Sequence, residues 1–219
     1  MKFVNFVKYR DLDRIAAARP GHLAYADRLR AQGGLAIGGP LLNDLGRRIG
    51  LLFIYDVASR DAALVFARKD PLALANALSS YEVTEWHLRG VNVDLLVQAN
   101  RSGGQRGANP QIRLFANYAK YGADKARLAA VRPAHWEYDQ ALKSTSKLAL
   151  AGSFANDEGG LFVYNAARGE EAMSYLRQDP FAVKGVIADY ELLEWHIEGV
   201  NPALLAADFS AEKSEIAAL

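Results

Sequence analysis

The chain has 219 residues, 51% of them apolar and 23% charged, with a formal net charge of +1. These proportions describe an ordinary globular protein and give no electrostatic pull toward nucleic acid or an anionic membrane surface. There is no cysteine, which excludes a disulfide framework, a thiol nucleophile and a thiolate-bound metal.

In chain order, KFVNFVKY opens a strand: Lys2, Val4 and Phe6 alternate with Phe3, Asn5 and Val7, a pattern that suits packing on both faces. A helix follows over 11–31, with Leu12, Ile15, Leu23, Ala26 and Leu29 as its apolar stripe. Pro20 falls within it and either kinks it or begins a new helix. GGLAIGGPLL (33–42) and RIGLLFIYDV (48–57) read as a hairpin, and a second helix over 60–68 leads to Asp70-Pro71. YEVTEWHLRGV (81–91) is the fourth strand, and ANRSGGQRGANP (99–110) is a polar linker without periodicity. The order then begins again, with residues 114–120 aligned on 3–9: a strand in IRLFANYAKY, a helix over 123–142 containing Pro133, strands at 147–154 and 160–167, a helix over 169–177 before Asp179-Pro180, and a strand at 190–200. The last stretch, ALLAADFSAEKSEIAAL (203–219), reads as a short capping helix or a frayed tail. The opening MKFVNFVKYR has no apolar core of signal-peptide length, and the strongest apolar run, LLFIY at 51–55, is far too short for a bilayer. The expectation is a cytoplasmic protein with neither nucleic acid nor membrane as partner.

The four histidines tie the two halves together. His22 in RPGHLAY is matched by His135 in RPAHWEY, 113 residues on, and His87 in EWHLRGVN by His196 in EWHIEGVN, 109 residues on. The chain therefore reads as one unit of about a hundred residues, duplicated. The expected bounds are 1–98 for repeat one, 99–111 for the linker, 112–208 for repeat two and 209–219 for the tail. The shorter second interval puts four extra residues in the first hairpin, where a loop absorbs them at little cost. Each repeat runs β-α-β-β-α-β, the ferredoxin-like split unit. Helices on one face leave the other face of each sheet bare, so two such sheets packed together bury both. The fold class is α+β: two ferredoxin-like units packed as an intrachain dimeric α+β barrel. Pairing with a second chain stays open.

Arg19, His22 and Tyr25 share one helix face by their spacing, as do Arg132, His135 and Tyr138. A neutral imidazole beside an Arg and a Tyr can act as a general base, since its ordinary pKa lies near working pH. The plain alternative is a histidine tucked against the sheet. Asp70 and Asp179 each precede a proline, which reads first as an N-cap and an N1 proline. The same carboxylate can also meet His22 or His135 in space and orient it, because a carboxylate has several acceptor sites. Glu85 with His87, and Glu194 with His196, lie on one face of a strand and suit a polar pair at a sheet-to-sheet interface; two ligands per repeat are too few for a zinc site. Gly39-Pro40 ends a strand in a turn through which backbone can approach a pocket, without any phosphate-loop pattern. No metal and no cofactor is expected.

Taken together, Arg19-Pro20-Gly21-His22-Leu23, Gly39-Pro40 and Asp70-Pro71-Leu72, repeated as Arg132-Pro133-Ala134-His135-Trp136, Gly152-Ser153 and Asp179-Pro180-Phe181, resemble the YCII-related family. The resemblance implies a dimeric α+β-barrel fold and a catalytic His–Asp dyad, carried here by His22 with Asp70 and His135 with Asp179. It also implies a small-molecule substrate; the best understood relatives eliminate HCl from a chlorinated hydroxyquinol. Two departures stand out: Leu72 where an aromatic is common, and Ser153 in place of the proline of Gly-Pro. The reading is a cofactor-free lyase or isomerase acting on a small, aromatic or quinone-like compound. Arg19 and Arg132 would stabilise an enolate or phenolate oxygen, and Tyr25, Tyr138, Gly39 and Pro40 would border the substrate. The rival is a non-catalytic ligand-binding or regulatory module of the same fold.

Overall fold

The computed structural model describes residues 1–101 and 111–205. Strands β1 (Lys2–Tyr9), β2 (Leu35–Leu42), β3 (Arg48–Asp56) and β4 (Leu78–Val91) come from the first half, with helices α1 (Leu12–Ala31), α2 (Arg60–Lys69), the short α3 (Pro71–Leu74) and α4 (Val93–Ala99). The second half supplies β5 (Leu114–Tyr121), β6 (Leu148–Phe154), β7 (Gly159–Asn165) and β8 (Ile187–Trp195), with α5 (Lys125–Ser144), α6 (Gly169–Gln178) and the short α7 (Pro180–Val183). The eight strands close into one antiparallel barrel in the order β1-β3-β2-β8-β5-β7-β6-β4. The two sheets thus join edge to edge rather than only stacking.

Period-two patterning explains the layers. Val4 and Phe6 point into the barrel, with Leu52, Ile54, Trp86, Tyr118 and Trp195. Phe3 and Val7 point out, under α1 and α2, with Ile15, Leu29, Phe53 and Ala63. Phe115, Ala119, Phe162 and Tyr164 repeat that outer layer beneath α5 and α6. Asn5 is also buried there, and its amide donates to the Tyr55 hydroxyl at 3.1 Å.

The seams are unequal. β4 and β6 pair over five residues, whereas β2 and β8 pair only at Leu41–Trp195 and Leu42–Glu194. The strand expected over 190–200 stops at Trp195, and the following segment continues beside β2 through single bonds: Glu198 N–H to the Gly38 carbonyl at 2.9 Å and Asn201 N–H to the Ala36 carbonyl at 2.7 Å. Gly39 makes that approach feasible, since a Cβ there would lie 1.9 Å from the His196 carbonyl oxygen.

The structure corrects or extends the sequence reading at several places. β1 matches β5 residue for residue over Lys2–Tyr9 and Leu114–Tyr121, so Tyr9 corresponds to Tyr121, one position from the sequence alignment. The turn into α5 has one residue more than the turn into α1, and that absorbs the offset. The first hairpin's extra length is mostly strand: β2 and β3 have 8 and 9 residues against 7 and 7 in β6 and β7. The region before the linker holds a helix, α4, capped by the Asn92 side chain on the Leu95 amide at 3.0 Å. Glu85 and His87, 3.2 Å apart, lie on the partly exposed outer face of the barrel, not between packed sheets. Pro20 and Pro133 sit inside continuous twenty-residue helices. Residues 102–110 of the linker and 206–219 of the tail lie outside the described residues.

Candidate active site

α1 runs against α3, and α5 against α7. That contact brings together residues 48 positions apart. His22 projects from α1 beside Phe53 of β3, and Asp70 sits at the junction of α2 and α3. His22 Nδ1 lies 2.9 Å from both carboxylate oxygens of Asp70. The same carboxylate accepts from the Leu72 amide at 2.9 Å, with Pro71 at the first helical position. Asp70 is therefore both the cap of α3 and the partner of the imidazole. The two groups are 6% and 7% exposed, so water competes weakly for their hydrogen bond.

With Nδ1–H donated to Asp70, the ring keeps Nε2 as its free base nitrogen. His22 lines a cavity of about 200 Å³ whose wall also includes Tyr9, Ile15, Arg19, Leu72 and Glu198. Glu198 reaches in from the second half. Its carboxylate lies 2.6 Å from Arg48 and 3.7 Å from Arg19, which lines the same space. Burial pushes the Tyr9 hydroxyl well above its usual range, the Glu198 and Asp70 charges add to this, and Arg48 and Arg19 oppose it. The phenol is accordingly a donor at neutral pH.

The second half repeats the pair and alters its surroundings. His135 Nδ1 lies 2.7 Å from Asp179, whose same oxygen accepts from the Phe181 amide at 2.8 Å. Phe181 stacks on the imidazole, with centroids 3.9 Å apart and planes 9° from parallel, where repeat one has Leu72. Asp139, one turn further along α5, brings a carboxylate 3.5 Å from His135 Nε2. The corresponding position in α1 is Ala26. Asp139 is pushed up to about 7, chiefly by burial, with the Asp179 charge adding and His135 opposing. For His135 burial is the largest single influence and lowers its pKa; the Asp179 hydrogen bond and the charges of Asp139 and Asp179 outweigh it, and the net direction is up. Ligand atoms of His135, Asp139 and Asp179 lie within 4.8 Å of one another, the one histidine-carboxylate cluster among the described residues able to gather around a cation.

The other expected residues are placed differently. The Tyr25 hydroxyl donates to the Phe66 carbonyl at 3.1 Å and the Tyr138 hydroxyl to the Tyr175 carbonyl at 2.8 Å, so both tie a long helix to the next one. Arg132 pairs with Asp157 of its own hairpin at 2.9 Å. Gly39 and Pro40 serve the seam: their carbonyls accept from Trp195 Nε1 and the His196 amide. Asp139 and Glu198 were missed. A position-by-position comparison of the repeats would have flagged both, since Ala26 and Arg89 stand opposite them.

Among solved structures, a 5-chloro-2-hydroxyhydroquinone dehydrochlorinase from Burkholderia phenoliruptrix AC1100 is 28% identical, over 39% of this chain and 93% of that one, with a TM-score of 0.36. A heme-binding protein from Thermus thermophilus is 11% identical over 94% of this chain and 93% of its own, TM-score 0.52. A chlorite dismutase variant from Candidatus Nitrospira defluvii is 13% identical over 97% and 94%, TM-score 0.53. These last two share the fold of the whole barrel. No curated protein matches the chain. The YCII-related domain matches residues 1–87 and again 114–196. With both matches falling on the halves that build one barrel, the chain belongs to the YCII-related family, in tandem duplication.

Proposed function

We propose that this chain is a lyase or isomerase that moves a proton on a small, aromatic or quinone-like compound, with the two halves acting as duplicated ferredoxin-like units. The observation that carries the reading is the buried Asp70–His22 contact on the wall of a cavity that also holds Arg19. Asp70 accepts Nδ1–H, fixes the tautomer, and stabilises the imidazolium once Nε2 has taken a proton. The apolar wall of Ile15, Leu51 and Leu72 suits a ring, and the guanidinium of Arg19 suits an oxygen that gains charge as the proton leaves. In an elimination, Nε2 takes the C–H proton, that electron pair forms the new double bond, and the leaving group departs from the adjacent carbon with its own electrons. In an isomerisation the proton returns at another carbon. A positioned base of this kind contributes roughly 10²–10⁴-fold in rate.

A thermal-shift screen of hydroxylated and halogenated benzenes and quinones tests the reading, because a compound that binds the native state raises the unfolding midpoint. The compounds that bind are then followed for halide release or absorbance change. His22→Ala is expected to abolish turnover and leave the fold intact. A set of binders none of which is converted, or turnover untouched in that variant, would leave a binding module in place of an enzyme.

A further inference from the structure

Arg19 and Arg48 come from different elements of the first half, α1 and β3, and Glu198 of the second half meets both on the wall of the His22 cavity. Its carboxylate gives one oxygen to each: Oε1 lies 2.6 Å from Arg48 and Oε2 lies 3.7 Å from Arg19. The longer distance is an ion pair and not a hydrogen bond, so Arg19 keeps its donors for whatever enters the cavity. Tyr9 lines the same cavity, and its hydroxyl has no hydrogen-bond partner among the described residues. Two guanidiniums and a phenol around one acid form a donor set that suits a carboxylate. We propose that Glu198 stands in for an acid of the ligand: the first repeat takes an aromatic or quinone-like compound that bears a carboxylate, held between Arg19 and Arg48 with the Glu198 side chain displaced. This names the substrate class of the proposed function and rests on that reading for the chemistry, though not for the binding.

The backbone around Glu198 permits that exchange. β8 has ended at Trp195, and Gly199 follows with a φ of +141°. The Glu198 N–H is held by the Gly38 carbonyl at 2.9 Å and its carbonyl by Arg30 at 3.3 Å. Neither bond uses the carboxylate, so the side chain can turn away while the main chain stays in place. Comparison of the repeats shows that the fork belongs to the first one. Lys8 pairs with Gly50 and Lys120 with Gly159, so Arg48 corresponds to Asp157. Glu198 corresponds to Arg89, each two residues after its matched histidine. Both charges are reversed, and Asp157 occupies Arg132 at 2.9 Å. A carboxylate docked in the fork anchors a ring against Leu51 and Leu72, beside the imidazole of His22. Binding exchanges one ion pair for another, so Glu198 weakens the ligand it resembles.

Calorimetry of the full chain with benzoate and with benzamide, its uncharged counterpart, tests this at neutral pH. Wild type is expected to bind benzoate at least about tenfold more tightly than benzamide, the worth of one charge-assisted hydrogen bond. That comparison needs no variant. Arg48→Gln should weaken benzoate by about the same factor, and Glu198→Gln should tighten it, while benzamide changes little in either. Benzoate and benzamide bound alike, or benzoate bound by neither wild type nor Glu198→Gln, overturns the proposal. So does an Arg48→Gln variant that melts lower yet binds benzoate as wild type does, since the arginine would then only close the seam. An affinity that follows Arg132 in place of Arg48 puts the acid in the other half and overturns it as well. The outcome is separable from the proposed function. Turnover of neutral quinones with no preference for acids would keep that function and sink this inference, whereas benzoate held through Arg48 with no compound converted would do the reverse.

Discussion

An Asp70→Asn variant keeps an oxygen for the Leu72 amide and loses the charge that faces His22, whereas Asp70→Ala loses both. The structure assigns one carboxylate to both tasks, with Leu72 N–H and His22 Nδ1 each at 2.9 Å. Losing the cap costs about 0.5–2 kcal/mol. At roughly 2–4 °C per kcal/mol for a chain of this size, the alanine variant should melt about 1–8 °C lower. The asparagine variant should melt close to wild type if its oxygen turns to the amide. Its NH₂ then meets Nδ1, which must accept, so the ring proton moves to Nε2 and the base is lost. Turnover should fall about 10²–10⁴-fold in both variants. Far-ultraviolet circular dichroism against temperature, run beside turnover at one pH, separates the two effects. An asparagine variant with full turnover, or an alanine variant that melts like wild type, would refute the double role.

Other consequences are as open to measurement. Asp139 has a folded-state pKa of about 7 against an ordinary 3.8, so folding takes up a proton between those values; its contribution to stability is fullest below the ordinary value and is lost as pH rises through 7. Asp139→Asn should therefore gain on wild type between pH 4 and 8, by a few kcal/mol at about 1.4 per unit, and parallel denaturant curves across that range check it. Gly39→Ala forces a Cβ to within 1.9 Å of the His196 carbonyl; overpacking of this sort costs about 1–3 kcal/mol, and a thermal midpoint matching wild type would show that the seam yields freely. Phe181→Ala empties the space stacked on His135 and should destabilise by about 3–5 kcal/mol in chemical denaturation. Glu198→Gln releases Arg19 and Arg48, both half-exposed; stability should change by less than about 1 kcal/mol, while calorimetry should show tighter binding of a phenolate ligand.

Much of the architecture was legible from repetition and from period-two patterning. Val4 and Phe6 against Phe3 and Val7 assign both faces of β1 correctly, and the Asp-Pro pairs do start helices. The dyads were legible as candidates only, since the contact of α1 with α3 decides whether 48 residues of chain become 2.9 Å. What escaped depends on tertiary closure. Asp139 on a helix looks like a solvated acid, and only the packing around α5 buries it beside His135. Glu198 enters the first repeat's cavity because the second half's last strand leaves the ladder at Trp195 and follows β2. α4 has only seven residues, too few for a helical stripe to stand out from the linker behind it.

The most direct test is the turnover of His22→Gln on any compound that raises the wild-type melting midpoint. Glutamine fills similar space and cannot take up a proton at Nε2. The expected result is binding retained and the rate lowered by at least about 10²-fold. Conversion at the wild-type rate would contradict the assignment of His22 as the base.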